Sequence, residues 1–124
     1  MKRILTVLGT RPEAIKLAPI ILELRQHQHQ VKSLVCVTAQ HRELLDQALS
    51  WFQIQPDVDL NLMKPNQDLA EFAGRALTAV DEVLGELRPS IVLVQGDTTT
   101  VMITALAAFY RQIPVGHVEA GLRT

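Results

Sequence analysis

The sequence predicts an α/β fold in which a parallel sheet is covered by helices on both faces. Short aliphatic runs alternate with longer amphipathic runs along its 124 residues, as repeated strand–helix units do. The strand-like runs are apolar throughout, which is typical of parallel strands buried between two layers of helices. Hydrophobic residues make up 48% of the chain and charged residues 20%, so we expect one ordinary globular domain over residues 1–124.

The first strand and helix are predicted from the amino-terminal part of the chain. Residues 3–8 form an aliphatic run that favours a buried strand, and residues 11–27 place apolar side chains on one helical stripe. Thr10 and Glu13 have the spacing of a capping box, in which Thr10 caps the first turn and Glu13 reaches back to the Thr10 amide. Pro19 removes a backbone hydrogen bond, so we expect it to kink the helix or to end its first part.

The rest of the chain continues the alternation. We predict strands over residues 31–38, 58–62, 91–94 and 114–118, and helices over residues 41–52, 68–87 and 99–110. The inward stripe of the longest helix is predicted to contain Leu69, Phe72, Ala76, Leu77, Val80 and Leu84. The single cysteine, Cys36, lies in an apolar strand and has no partner for an intramolecular disulfide, so we expect it to be buried and inert.

Charge and motifs exclude several classes of function. Twelve Lys and Arg residues against 13 Asp and Glu residues give a net charge of −1, which provides no general attraction to nucleic acid or to an anionic membrane. Residues 98–110 fall short of the roughly 20 apolar residues that a membrane span needs, and residues 4–8 are too short for a signal peptide. We therefore expect a cytoplasmic protein. Dinucleotide, Walker, nucleophile-elbow and metal-cluster signatures are absent from the sequence.

Three polar loops follow predicted strands, at residues 9–13, 95–98 and 117–121. Because the carboxyl ends of parallel strands meet at one edge of a sheet, these loops should form the ligand crevice. The charged side chains brought together there are Arg11, Asp97 and Glu119.

Arg11 lies in the first turn of a helix, where the helix dipole already makes the end partially positive. An anion at that end would be held by backbone N–H groups and the guanidinium together. Lys16 lies about 140° further around the helix and shares this face only if one side chain swings over the helix end. A solvated charge is the alternative for Arg11, and the favoured interpretation of Lys16.

Asp97 and Glu119 are the candidate proton-transfer groups. Asp97 could instead cap the helix that follows it, whereas Glu119 has no predicted helix after it to cap. Two carboxylates on one rim can divide acid and base roles if their environments separate their pKa values. His117 lies within the last strand, and we expect a buried, hydrogen-bonded histidine rather than a catalyst.

Four segments occur in order along the chain: GTRPEAIK at residues 9–16, VTAQHR at 37–42, GDTTT at 96–100 and PVGHVEAGLRT at 114–124. Together they resemble the non-hydrolysing UDP-N-acetylglucosamine 2-epimerases. The resemblance covers all 124 residues and implies the amino-terminal half of a glycosyltransferase-B type fold, with two Rossmann-like domains around the active site. It also implies that a carboxyl-terminal nucleotide-binding domain is absent here, so we expect the chain alone to be nearly inactive.

The resembled family interconverts UDP-N-acetylglucosamine and UDP-N-acetylmannosamine without a redox cofactor or a metal. It eliminates UDP to give 2-acetamidoglucal and then adds UDP back, with protonation from the other face. By resemblance, Arg11 and Lys16 position the substrate electrostatically. Asp97 and Glu119 then act as acid and base, with their individual roles unassigned.

The resemblance further implies a second UDP-N-acetylglucosamine site that activates the bacterial enzymes, and a homodimer. Gln40 and Gln67 match positions near that allosteric site, while Glu43 departs from the Gln found in some members. One other interpretation stays open: the chain could be a non-catalytic truncated domain that binds sugar nucleotide weakly. A flavodoxin-like or receiver-type module is disfavoured, because Asp97 follows a late strand and no acidic cluster follows the first strand.

Overall fold

A computed structural model describes residues 1–39 and 42–119. The strands are β1 (Lys2–Leu8), β2 (Val31–Val37), β3 (Val58–Asp59), β4 (Ile91–Gln95) and β5 (Val115–Val118). The helices are α1 (Arg11–Arg25), α2 (Arg42–Trp51), α3 (Leu69–Leu87) and α4 (Thr99–Tyr110). Strands and helices alternate in the predicted order, and His41, where the second helix was expected to begin, lies outside the described residues.

The five strands form one parallel sheet in the order β3-β2-β1-β4-β5. In the register of the sheet, Thr6 of β1 lies between Val35 of β2 and Leu93 of β4. The chain first moves outward from β1 to β2 and β3, and then returns to build β4 and β5 on the other side. The point where this direction reverses lies between β1 and β4, and open α/β sheets bind their ligands at such a point.

Each face of the sheet packs against one pair of helices. Successive residues of a strand point to opposite faces, so Val7 packs in the core beneath α3 and α4, while Leu8 packs beneath α1 and α2. Cys36 and Val37 of β2 likewise pack on opposite faces of the sheet. The predicted sheet with helices on both faces is therefore confirmed. Within the described ranges, no helix is both long and apolar enough to cross a membrane.

Two ion pairs connect elements that are distant in the sequence. The Arg42 guanidinium at the start of α2 donates to both carboxylate oxygens of Asp59 in β3, at 2.6 and 2.7 Å. The Arg111 guanidinium after α4 donates to both oxygens of Asp81 in α3, at 2.6 and 3.2 Å. Both pairs are partly exposed, so they define geometry more than they stabilise the fold.

Helix α1 continues through Pro19 to Arg25, so of the two outcomes expected for this proline, the end of the first part of the helix is wrong. Pro19 lies on the exposed side, where one missing hydrogen bond is tolerated. On the other side Leu17, Ala18 and Ile21 are buried against the sheet. Packing on both sides of the proline keeps the helix continuous.

Leu69 is the one member of the predicted inward stripe of α3 that is exposed, with 65% of its surface accessible. It is the first residue of the helix, immediately after Asp68, whose side chain accepts a 2.7 Å hydrogen bond from the Glu71 amide. The cap places the start of the helix beyond the edge of the core. Leu77 is partly buried, and the remaining members are buried as predicted.

Cys36 should resist alkylation in the folded chain. Burial, with a smaller contribution from the Asp59 carboxylate, raises the pKa of the thiol to about 12, so almost no thiolate exists near neutral pH. We expect no reaction with iodoacetamide in native buffer and complete reaction in denaturant, measured by mass spectrometry. Rapid modification of the native chain would contradict the buried position.

Candidate functional site

The candidate site lies at the carboxyl edge of the sheet, between β1 and β4. The segment after β1 leads into α1 on one face, while the segment after β4 leads into α4 on the other face. The two segments diverge from neighbouring strands and leave a crevice between them. Both helices begin at this edge, so their partially positive amino termini lie beside the crevice.

Glu13 connects the two sides of the crevice. It is only 2% exposed, and its Oε1 accepts a 3.0 Å hydrogen bond from the Gly9 amide. Its Oε2 accepts hydrogen bonds from the hydroxyls of Thr10, at 2.6 Å, and Thr98, at 2.9 Å. The carboxylate therefore joins the segment after β1 to the segment after β4.

The predicted capping box is wrong in its bonding. Thr10 precedes α1 as the cap residue but makes no cap hydrogen bond, since its hydroxyl donates to Glu13. Glu13 in turn bonds the amide of Gly9 rather than that of Thr10. Sequence reasoning missed Glu13 as a site residue. The sequence signal that could have identified Glu13 was its position on the buried stripe of α1, because a charged residue there needs polar partners.

Asp97 lies at the centre of the segment after β4 and is exposed. It does not cap α4, because the cap position belongs to Thr98. Within residues 1–39 and 42–119, no hydrogen bond or ion pair of the Asp97 carboxylate is found. Gly96 before it adopts a φ of 89°, a left-handed conformation that glycine accommodates without steric cost. The Asp97 carboxylate is thus exposed at the edge and has no partner among the described residues.

His117 and Glu119 stand beside this segment, on β5 and directly after it. The His117 Nε2–H donates a 2.7 Å hydrogen bond to the Gly96 carbonyl, and the same nitrogen lies 3.5 Å from Glu119 Oε2. The expectation of a hydrogen-bonded histidine is confirmed, but the expectation of burial is wrong. The His117 side chain is 47% exposed because β5 is the last strand of the sheet.

Arg11 turns away from the two carboxylates. Its guanidinium carbon lies 5.6 Å from the centre of the Trp51 ring at the end of α2, a cation–π contact. No ion pair joins Arg11 to Asp97 or Glu119 in the described part of the chain. Lys16 is exposed on α1. The contacts of the site therefore connect Glu13, the segment that carries Asp97, His117 and Glu119, and within the described residues they include neither Arg11 nor Lys16.

The segment after β2 ends at the same edge of the sheet. Thr38 and Thr100 share a 3.0 Å hydrogen bond between their hydroxyls, which joins the end of β2 to the first turn of α4. Ala39 is fully buried with a φ of 60°, an unfavourable conformation of the kind that concentrates at functional sites. Gln40, the next residue and a predicted allosteric position, lies outside the described residues.

Gln67, the other predicted allosteric position, is partly buried before α3. The Oε1 of its side-chain amide accepts a 2.7 Å hydrogen bond from the Arg75 guanidinium. Its place near a second ligand site stays a prediction. Across the part of the chain that the structure describes, no group of three His, Cys, Asp or Glu side chains is arranged to hold a metal ion.

Comparison with known proteins identifies the family. The sequence profile described as UDP-N-acetylglucosamine 2-epimerase matches residues 23–124, which is most of the chain. This chain belongs to the UDP-N-acetylglucosamine 2-epimerase family. The family suggested by the four sequence segments is thereby confirmed.

The UDP-N-acetylglucosamine 2-epimerase of Neisseria meningitidis is 59% identical over 122 residues, which covers 98% of this chain and 32% of the relative. The epimerase of Bacillus subtilis is 58% identical over 122 residues, with 32% of its length covered. The chain thus spans about a third of the length of the curated epimerases that it matches.

Solved structures of the family have the same fold. The crystal structure of the Neisseria meningitidis epimerase bound to UDP-GlcNAc matches with a TM-score of 0.91, over 98% of this chain and 33% of that one. The Methanocaldococcus jannaschii epimerase in complex with UDP-GlcNAc and UDP matches with a TM-score of 0.88 at 36% identity, over 98% and 33% of the two chains. The predicted Rossmann-like fold of the glycosyltransferase-B type is confirmed.

Replacing Glu13 with Ala should destabilise the folded chain by about 2–4 kcal/mol. The change leaves the Gly9 amide and two hydroxyls without their acceptor in a buried setting, and each such loss costs about 1–3 kcal/mol before water or local rearrangement compensates. Urea denaturation measures the difference in the free energy of unfolding. Glu82→Ala, at an exposed position of α3, is the control and should change stability by no more than about 0.5 kcal/mol. Equal stabilities of the two variants would contradict the bonding described for Glu13.

Proposed function

We propose that this chain supplies the proton-transfer groups of an enzyme that interconverts UDP-N-acetylglucosamine and UDP-N-acetylmannosamine. The observation that carries the proposal is the pair of exposed carboxylates, Asp97 and Glu119, at the carboxyl ends of two adjacent parallel strands. Membership of the epimerase family and the bound ligands named for two solved relatives support the choice of substrate.

Inversion at C2 of the sugar explains why two carboxylates are needed. The C2 proton is not flanked by a carbonyl, so the carbanion left by direct removal would lack resonance stabilisation. Elimination avoids that carbanion: the C2 proton passes to a carboxylate while the C1–O bond breaks and UDP leaves with the bonding electrons. UDP then adds back to C1 of 2-acetamidoglucal, and a proton is delivered to the opposite face of C2. One group accepts the proton and another donates a proton, and two carboxylates can take these two roles.

No redox cofactor enters this scheme, because elimination followed by re-addition leaves the oxidation state of the sugar unchanged. Negative charge develops on the departing UDP and needs positive partners. Arg11 and Lys16 are the proposed partners, together with the amino terminus of α1. Arg11 would reach the leaving group by exchanging its contact with Trp51 for a charge-assisted hydrogen bond, which is the stronger interaction.

The remaining two-thirds of the relatives' length is expected to supply the uridine and phosphate contacts. The 124 residues alone should therefore bind sugar nucleotide weakly and turn it over slowly or not at all. We also place the reaction in the cytoplasm, as expected from a sequence in which no membrane-span or signal-peptide pattern was recognised.

Deuterium exchange tests the proposed chemistry. The 124 residues are joined to the rest of the Neisseria meningitidis epimerase in place of its matching 122 residues, and this hybrid is incubated with UDP-N-acetylglucosamine in deuterated buffer. Proton NMR should show loss of the C2 proton signal and appearance of the manno epimer. Asp97→Asn and Glu119→Gln should each lower the rate by about a hundredfold or more, the usual size of acid–base contributions.

Glu82→Gln is the matched control in the hybrid, since it removes an exposed carboxylate on α3, and it should keep the full rate. Exchange that persists undiminished in both carboxylate variants would show that other groups move the proton. The isolated chain, treated in the same way, should show no exchange. Rapid exchange by the isolated chain would mean that the site is already complete within these residues.

We further propose that the chain pairs with a second copy through the outer face of α4. This helix contains no charged residue, and its outer side exposes Met102 (61%), Leu106 (36%), Phe109 (74%) and Tyr110 (66%). A helix that is apolar on all sides is normally covered, and no like charges on this face oppose the approach of an identical one. A two-fold axis would bring the same apolar stripe of both copies together.

Phe109→Lys should convert such a dimer to monomer, because it replaces the most exposed apolar side chain of the stripe with a charge. Sedimentation at increasing concentration measures the shift in mass. Leu69→Lys changes an equally exposed leucine on α3 and should leave the association unchanged. Monomeric behaviour of the unmodified chain at high concentration would exclude the interface.

A further inference from the structure

The loop that carries Asp97, residues 96–98, is held by hydrogen bonds on both sides, whereas the Asp97 side chain makes none within the described residues. On one side the Thr98 hydroxyl donates to the buried Glu13 carboxylate at 2.9 Å. On the other side the His117 Nε2–H donates to the Gly96 carbonyl at 2.7 Å. The two contacts involve the residues immediately before and after Asp97. They therefore position the Asp97 carboxylate without bonding to it.

We infer that Glu13 and His117 are positioning residues that hold the Asp97 loop in the geometry for proton transfer. This inference rests on the proposed function, in which Asp97 is a proton-transfer group. Proton transfer requires a donor–acceptor separation of about 2.6–3.2 Å, so small displacements of the carboxylate lower the rate steeply. A loop containing an exposed carboxylate and a glycine would sample many positions if nothing held it.

Glu13 provides the rigid side of this arrangement. Its carboxylate is buried and bonded to three donors, two of which belong to the segment after β1. The third donor is Thr98, which lies 85 residues further along the chain. Since Glu13 is in the first turn of α1, the Thr98 contact ties the Asp97 loop to the helix that begins with Arg11. Glu13 therefore also limits the separation between the Asp97 loop and the helix turn that carries Arg11.

His117 connects the Asp97 loop to the second carboxylate. A carbonyl oxygen can only accept, so Nε2 must carry the proton in this contact. The same Nε2 lies 3.5 Å from Glu119 Oε2, and Glu119 is two residues further along the strand direction. One imidazole thus faces both the loop of Asp97 and the side chain of Glu119. Its role is to set the spacing of the two carboxylates across adjacent strands.

Paired substitutions separate these contacts from general damage to the fold. Thr98→Val removes the hydroxyl at nearly constant volume, and no helix cap is lost because Thr98 makes no cap hydrogen bond. Thr98→Ser keeps the hydroxyl. His117→Leu removes the ring donor, whereas His117→Gln can place an amide N–H near the position of Nε2. Thr78→Val, on the exposed side of α3, is the control for loss of a threonine hydroxyl.

The first measurement is backbone order in the 124-residue chain by nitrogen-15 relaxation. In the unmodified chain, residues 96–98 should have order parameters near the rigid value of about 0.85. Thr98→Val and His117→Leu should each lower them below about 0.6, while Thr98→Ser, His117→Gln and Thr78→Val retain the original values. Unchanged order in both removal variants would overturn the inference, whatever reaction the protein performs.

The second measurement is turnover of UDP-N-acetylglucosamine by the hybrid enzyme described above. Both removal variants should lower kcat by about tenfold or more with KM changed less than about twofold, because they displace a reacting group rather than a binding group. Thr98→Ser and His117→Gln should restore most of kcat. A loosened loop with unchanged kcat would overturn the inference. No turnover by the unmodified hybrid would instead defeat the proposed function, while the order parameters still decide whether the contacts hold the loop.

Discussion

The candidate site depends on one buried carboxylate. Glu13 lies between the ends of β1 and β4, where the order in which the chain adds strands to the sheet reverses. Its oxygens accept hydrogen bonds from the segments that follow both of these strands. Neighbouring strands of a parallel sheet are held together by their backbones, but the segments beyond their ends are not. Those segments diverge to opposite faces, so a side-chain link is needed to give the crevice a defined width. A buried carboxylate does this strongly because its hydrogen bonds are charge-assisted and shielded from water.

Parallel topology explains why the side chains of the candidate site gather at one edge. Every strand delivers its carboxyl end to the same side, so Asp97 and Glu119 follow the ends of adjacent strands although β4 and β5 are separated by a helix in the sequence. The helices that follow β1 and β4 start at that edge and present partially positive ends to it. Carboxylates for proton transfer and a positive environment for an anionic leaving group thus arise from the same connectivity. The proposed epimerase chemistry needs both.

Local sequence patterns predicted the elements well and their side-chain partners poorly. The capping-box spacing of Thr10 and Glu13 correctly indicated the start of a helix, yet the bonds formed are different, because Thr98 offers Glu13 a third donor from the segment after β4. Leu69 has the right helical phase to face inward, but the helix begins beyond the core. His117 was expected to be buried, and its exposure follows from the position of β5 at the end of the sheet. In each case the missing information was the position of a distant element.

Hydrophobic periodicity and short motifs were enough to predict the alternation of strands and helices, the parallel sheet, the edge where the polar loops collect and the family of the chain. These are local properties of the chain. The contacts of Glu13 with the loop of Asp97, of His117 with Glu119 and of Arg11 with Trp51 became visible in the folded structure alone. The contacts of Glu13 and of Arg11 join residues far apart in the sequence. The contact between His117 and Glu119 depends on the path of the chain at the end of β5. Such contacts are set by how the layers pack, and no local pattern in the sequence encodes them.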